Sequence, residues 1–134
     1  MKKTSKLLLL STILFTISCS KSKDKLVLDE KLTGGRWKLS ESLNDPGSGT
    51  AKWAPVSANP VYYVSFKDNG QMDGNMYPDY TNYTLKDSVT LSFIKKDKSI
   101  QNYRYKIDKG VLSMSPAGPI MCIEACGTRY VKIE

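Results

Sequence analysis

SVTLSFIKKDKSIQNYRYKIDKGVLSMS, residues 88–115, alternates polar and apolar side chains with a period of two. Val89, Leu91 and Phe93 share one parity, and Ser88, Thr90 and Ser92 the other. Lys95 to Lys98 forms a polar break, after which Tyr103, Tyr105 and Ile107 alternate with Arg104 and Lys106. Asp108-Lys109-Gly110 turns the chain again, and Val111 to Ser115 runs back. A period of two buries one face of a pleated strand, whereas a helix would repeat every 3.6 residues. Turns this short join antiparallel neighbours. The stretch therefore predicts three consecutive antiparallel strands.

The same pattern extends outward in both directions. Tyr80 to Leu85 is rich in Tyr and Thr, which suit a half-buried pleat. Tyr62, Val64 and Phe66 alternate with Val61, Tyr63 and Ser65, and Asp68-Asn69-Gly70 closes a hairpin onto a weak strand over Gln71 to Asn75. Thr50 to Val56 reads as a strand limited by Pro55, and Asp45 to Gly49 as a loop. Trp37, Leu39 and Leu43 share a parity, with Glu41 as the exception. The last strand covers Thr128 to Ile133. Only Glu30 to Leu32 suggests a turn of helix, capped by Asp29. Turn signals recur every 8–12 residues or so, as in sandwiches and barrels. The prediction is an all-β fold, an antiparallel up-and-down meander of about eight strands, closed into a barrel that removes the exposed edges.

The start of the chain is of a different kind. Lys2, Lys3 and Lys6 precede an apolar run from Leu7 to Ile17. That run is far short of the roughly 20 residues a membrane span needs, and it fits the core of an export signal. Its end, Phe15-Thr16-Ile17-Ser18-Cys19, resembles the bacterial lipobox, whose cysteine receives lipid and becomes the first residue of the mature chain. Thr16 stands where that motif usually has Leu, and Thr16-Ile17-Ser18 also fits an ordinary signal-peptidase site. The expected layout is a signal peptide over residues 1–18, a lipidated and flexible tether over residues 19–28, and one domain over residues 29–134. The expected partner is a membrane, reached through lipid on Cys19.

The chain holds 20 basic and 13 acidic side chains, a net +7. Three lysines leave with the signal, and Lys21, Lys23 and Lys25 belong to the tether. The domain is close to balanced, so no nucleic-acid partner is expected.

Leu32-Thr33-Gly34-Gly35-Arg36-Trp37-Lys38-Leu39 resembles the opening of a lipocalin-type (calycin) barrel, in which a Gly-x-Trp element lies on the first strand. The segment from Cys122 to Ile133 is similar to the closing segment of small lipocalin-like lipoproteins of Bacteroidetes-type bacteria. The resemblance covers roughly residues 30–134. It implies that Gly35 and Trp37 close one end of the barrel, and that a late Arg, here Arg129, packs over Trp37. The barrel pattern itself suggests an interior able to hold a small apolar or amphipathic ligand, and a monomer is expected. Surface-export tethers of that lineage are acidic. Asp24 is the one acid in this tether, so the expected place is the outer membrane, facing the periplasm.

If Cys19 carries lipid, Cys122 and Cys126 remain as a pair in an oxidising compartment. Four residues of straight strand would hold them about 13 Å apart. A disulfide needs Cα atoms within about 7 Å, so it requires a turn between them. The alternatives are a metal or a redox site, but the chain has no His and the spacing is not Cys-x-x-Cys. The absence of His also removes Ser-His and Cys-His nucleophiles. No carboxylate pair has a distinctive catalytic spacing, so neither catalysis nor a cofactor is expected.

The eight tyrosines could line a binding face, with Tyr77-Pro78-Asp79-Tyr80 the most loop-like subset, or could simply pack the pleat. Two functions compete. One is a ligand-holding barrel. The other is an interaction or inhibitor module that works through loops Asp45–Gly49 and Met76–Asp79 over a solid core. The space left inside by Leu39, Phe66, Leu91, Phe93 and Leu112 separates them.

Overall fold

The computed structural model describes residues 30–134. Cys19 and the tether lie outside the described residues. Nine strands follow one another: β1 (Arg36–Asn44), β2 (Trp53–Pro55), β3 (Tyr63–Phe66), β4 (Met72–Gly74), β5 (Tyr80–Asp87), β6 (Thr90–Lys95), β7 (Ile100–Asp108), β8 (Val111–Pro116) and β9 (Cys126–Ile133). All pairings are antiparallel, in the order β4-β3-β1-β9-β8-β7-β6-β5. β4 and β5 approach through a bridge between Gln71 and Asn82, and the Tyr83 N–H donates to the Gly70 carbonyl at 2.8 Å. The sheet thus nearly closes into a barrel of eight lanes. β2 and β3 share one lane, pairing with the far and near halves of β1.

The expected turns form for local reasons. Asp108 pairs with Val111, so Lys109 and Gly110 make a two-residue hairpin loop, and both have positive φ. That is the conformation whose twist matches the flanking strands.

The parity exception at Glu41 has a structural cause. The β1–β9 register slips between Leu39 and Glu41, where Ser40 is the extra residue of a bulge. Beyond it the faces exchange. Leu39 pairs with buried Tyr130, whereas Glu41 pairs with Arg129 on the outside.

The helical turn expected over Glu30 to Leu32 does not form. The carbonyls it would need are used elsewhere. The Trp37 indole N–H donates to the Leu32 carbonyl at 2.7 Å. The Lys132 ammonium donates to the Lys31 and Thr33 carbonyls, both at 2.7 Å. Tertiary hydrogen bonds take the place of the helical ones.

Candidate functional site

The end of the barrel where the chain enters is shut. Trp37 is fully buried. Gly35 lets β9 come close: a Cβ there would stand 2.9 Å from the Lys132 Cε and 3.0 Å from the Ile133 carbonyl oxygen. Gly35 and Trp37 therefore lie where a closing element is needed.

Arg129 does not take the place foreseen for it. The cation over Trp37 is Lys132, whose Nζ lies 5.4 Å from the ring centroid. Residues 129 and 132 are an odd number apart on one strand, so they face opposite sides of the sheet. Arg129 points outward, where its guanidinium stacks 3.9 Å from the Trp53 ring centroid and pairs with the Glu41 carboxylate at 3.1 Å. The inward parity of Tyr130 and Lys132 was the available sequence signal for this exchange.

The middle of the barrel is filled. Leu91, Phe93 and Leu112 are fully buried, and Phe66 nearly so. In the Met76–Asp79 loop Pro78 and Asp79 stay exposed, while Met76 and Tyr77 turn inward onto the core. Tyr77 lies against Phe93 at 5.1 Å and Tyr103 at 5.6 Å, both edge-to-face. Phe93 in turn contacts Tyr103 at 4.7 Å and Phe66 at 5.7 Å. The Tyr77 and Tyr130 hydroxyls share a hydrogen bond of 2.8 Å. Burial raises both phenols, Tyr130 to about 12 and Tyr77 well above its ordinary value. Burial likewise raises Tyr103, with Tyr77 and Tyr80 adding to the effect. These tyrosines are packed neutral groups, poor proton carriers near pH 7.

Above this plug lies a recess of about 300 Å³, between Ser42, Tyr77, Tyr103, Pro116 and Thr128. It is an open mouth rather than an enclosed cup.

Cys122 and Cys126 form a disulfide with Cα atoms 6.1 Å apart. The chain between them bends instead of running straight, which brings the two within reach. The bond ties the loop between β8 and β9. Buried Gln101 grips the same loop: its amide donates to the Ile120 carbonyl at 2.8 Å, and its oxygen accepts the Ile120 N–H at 3.0 Å. The Asp45 N–H donates to the Ala125 carbonyl at 3.0 Å. Yet Ile120 is 69% exposed, Met121 67% and Ile123 100%.

No protein-family model, curated protein or solved structure matches the chain. The site must be read from its own geometry.

The Asp45–Gly49 loop is ordered by its own first residue. The Asp45 carboxylate accepts the N–H groups of Ser48, Gly47 and Gly49 at 2.9, 3.0 and 3.2 Å. Burial pushes its carboxyl up, but these bonds outweigh that and hold it below its ordinary value. This is loop architecture with no further ligand needed. Among the described residues, no three Cys, Asp or Glu side chains group as a metal site would require.

On the outside, an open groove of about 740 Å³ runs along β7, β8 and the start of β9. Trp53 forms part of its wall. Sequence reasoning singled out neither Trp53 nor the loop Ile120–Ile123 as functional. The apolar run Ile120-Met121 beside a cysteine was the signal for the loop.

Proposed function

We propose that this chain is a lipid-anchored, non-catalytic protein of the cell envelope whose filled barrel presents a protein-docking loop. The observation that carries the reading is the loop over residues 117–125, held by a disulfide and by Gln101 while its large apolar side chains face water. Single exposed apolar residues are ordinary. Three within four positions of one tied loop are not, since each exposes surface that burial would favour by about 25 cal/mol per Å². Fixing a loop before binding removes most of the ordering cost that a flexible one carries.

The filled interior supports the same reading, because a ligand cup needs a volume that Tyr77 occupies. Placement fits as well. Arg36 pairs with Ile133 and Asn44 with Cys126, so the loop and the chain entry lie at opposite ends of β9. Those ends are about 25 Å apart. A tether lipidated at Cys19 would thus hold the loop away from its own membrane. Glu124 beside Ile123 argues for a protein partner over an anionic lipid surface.

The test is photo-crosslinking from position 121 in intact envelopes, with and without Ile120→Asp and Ile123→Asp. One discrete protein adduct, lost in the Asp variants, is expected. Lipid adducts alone, or an adduct indifferent to both substitutions, would overturn the reading. Membrane fractionation of Cys19→Ala checks the anchor: release into the soluble fraction is expected, and unchanged membrane association would refute it.

A further inference from the structure

The outer groove offers a chemistry that the docking loop does not. β7 turns Arg104 and Lys106 outward, and both are exposed. β8 contributes Ser113 and Ser115, and β9 contributes Gly127. Trp53 stands on the far side. Strands lie about 4.8 Å apart, so the step from β7 to β9 leaves a channel about 10 Å wide, floored by short side chains. Gly127 keeps that floor low: a Cβ would stand 3.1 Å from the Trp53 Cη2 and 3.2 Å from the Met114 carbonyl oxygen. The Trp53 ring is set in advance by the stacked Arg129, which Glu41 holds.

Charge in the groove favours an anion. The acids nearby are Glu41, engaged by Arg129, Asp108, 3.7 Å from Lys106 in an exposed pair, and Asp87, whose carboxylate accepts the Val89 N–H at 2.9 Å. An exposed pair of that kind is weak, and leaves Lys106 able to exchange Asp108 for a ligand anion.

Two ligand chemistries fit poorly. A peptide strand needs main-chain partners, but along the floor β8 is hydrogen-bonded to β7 on one side and β9 on the other. A wholly apolar ligand would strip water from the hydroxyls of Ser88, Ser113 and Ser115 without replacing their hydrogen bonds. What the groove supplies is an aromatic wall at Trp53, apolar surface at Val89, Tyr105 and Ile107, serine hydroxyls and two cations. We propose that it binds an acidic carbohydrate, with the sugar ring against Trp53, its hydroxyls on Ser113 and Ser115, and its carboxylate or phosphate between Arg104 and Lys106.

The probe is trigalacturonate, titrated into the mature chain and followed by tryptophan emission. Trp37 is fully buried, so a change reports on Trp53. Saturable binding is expected. The methyl ester, with the same rings and no charge, should bind at least tenfold more weakly. The Arg104→Ala/Lys106→Ala variant should lose at least tenfold for the acid. Ser115→Tyr, which fills the channel from an outward position, should lose it too. No saturable binding, equal affinity for the ester, or an unchanged affinity in folded variants of both kinds would overturn the assignment.

Discussion

Replacing Tyr77 by Ala should cost about 3 kcal/mol of stability, and replacing it by Phe about 1 kcal/mol. Tyr77 is half-buried, so its ring gives up less than the roughly 3 kcal/mol of a fully buried aromatic side chain. Call that share about 1.5 kcal/mol. The edge-to-face contacts with Phe93 and Tyr103 add roughly 0.5–1 kcal/mol, since such pairs are not additive. The hydrogen bond to the Tyr130 hydroxyl adds about 1 kcal/mol. Phe keeps the ring and loses only that last contribution. Urea melts read the difference directly. With a slope near 1.5 kcal/mol/M, Tyr77→Ala should lower the midpoint by about 2 M and Tyr77→Phe by less than about 1 M. A Tyr77→Ala loss under about 0.5 kcal/mol would mean that the ring is not packed in the barrel, and the filled-core argument would fall with it.

Lys132→Met should cost about 2 kcal/mol, because two part-buried carbonyls lose a charged donor, and should shift Trp37 emission. Arg129→Ala should cost less than about 1 kcal/mol and leave Trp37 unchanged, since its ion pair is half-exposed and on the outer face. Reducing the disulfide should raise the intact mass by two hydrogen atoms and cost at most about 2 kcal/mol, as the closed loop is short. Proteolysis should then begin between residues 117 and 125 while β-sheet signal persists. Stability should fall at both pH extremes. Asp45, Asp87 and Asp97 have carboxyls held below their ordinary value, so their contribution is present above the unfolded pKa of about 3.9 and is lost as pH falls through the folded values. Tyr77, Tyr103 and Tyr130 are raised, so their contribution is full below about 10 and is lost as pH rises through the folded values, about 12 for Tyr130. Phenolate absorbance from these three should appear together with unfolding, and its appearance in a folded barrel would contradict their burial.

The strands were legible where local alternation and burial agree. Leu91, Phe93, Leu112, Tyr103 and Ile107 all pack on the face that their parity assigns. The turn at Lys109-Gly110 was legible because its backbone conformation is local. Glu41 announced the bulge at Ser40 as a break in period, although alternation alone could not say that the strand continues past it. The lost helical turn at 30–32 was not legible, because its carbonyls are captured by Trp37 and by Lys132 from the far end of the chain. The same holds for Tyr77. A loop tyrosine turns inward only when Phe93, Tyr103 and Tyr130 leave it a slot, and those contacts are all distant in sequence. Trp53 was missed for a related reason: its partners, Arg129 and Gly127, meet it only across the sheet.

The most direct test of the central claim, a barrel filled by its own side chains, is native mass spectrometry of the protein purified from its own envelope in gentle detergent. The expected spectrum contains the chain with its N-terminal modification and no low-mass companion that survives in the Arg104→Ala/Lys106→Ala variant. A stoichiometric small molecule retained by that variant, and displaced or lost only when Tyr77 is changed, would show that the barrel opens to hold a ligand and would contradict the account.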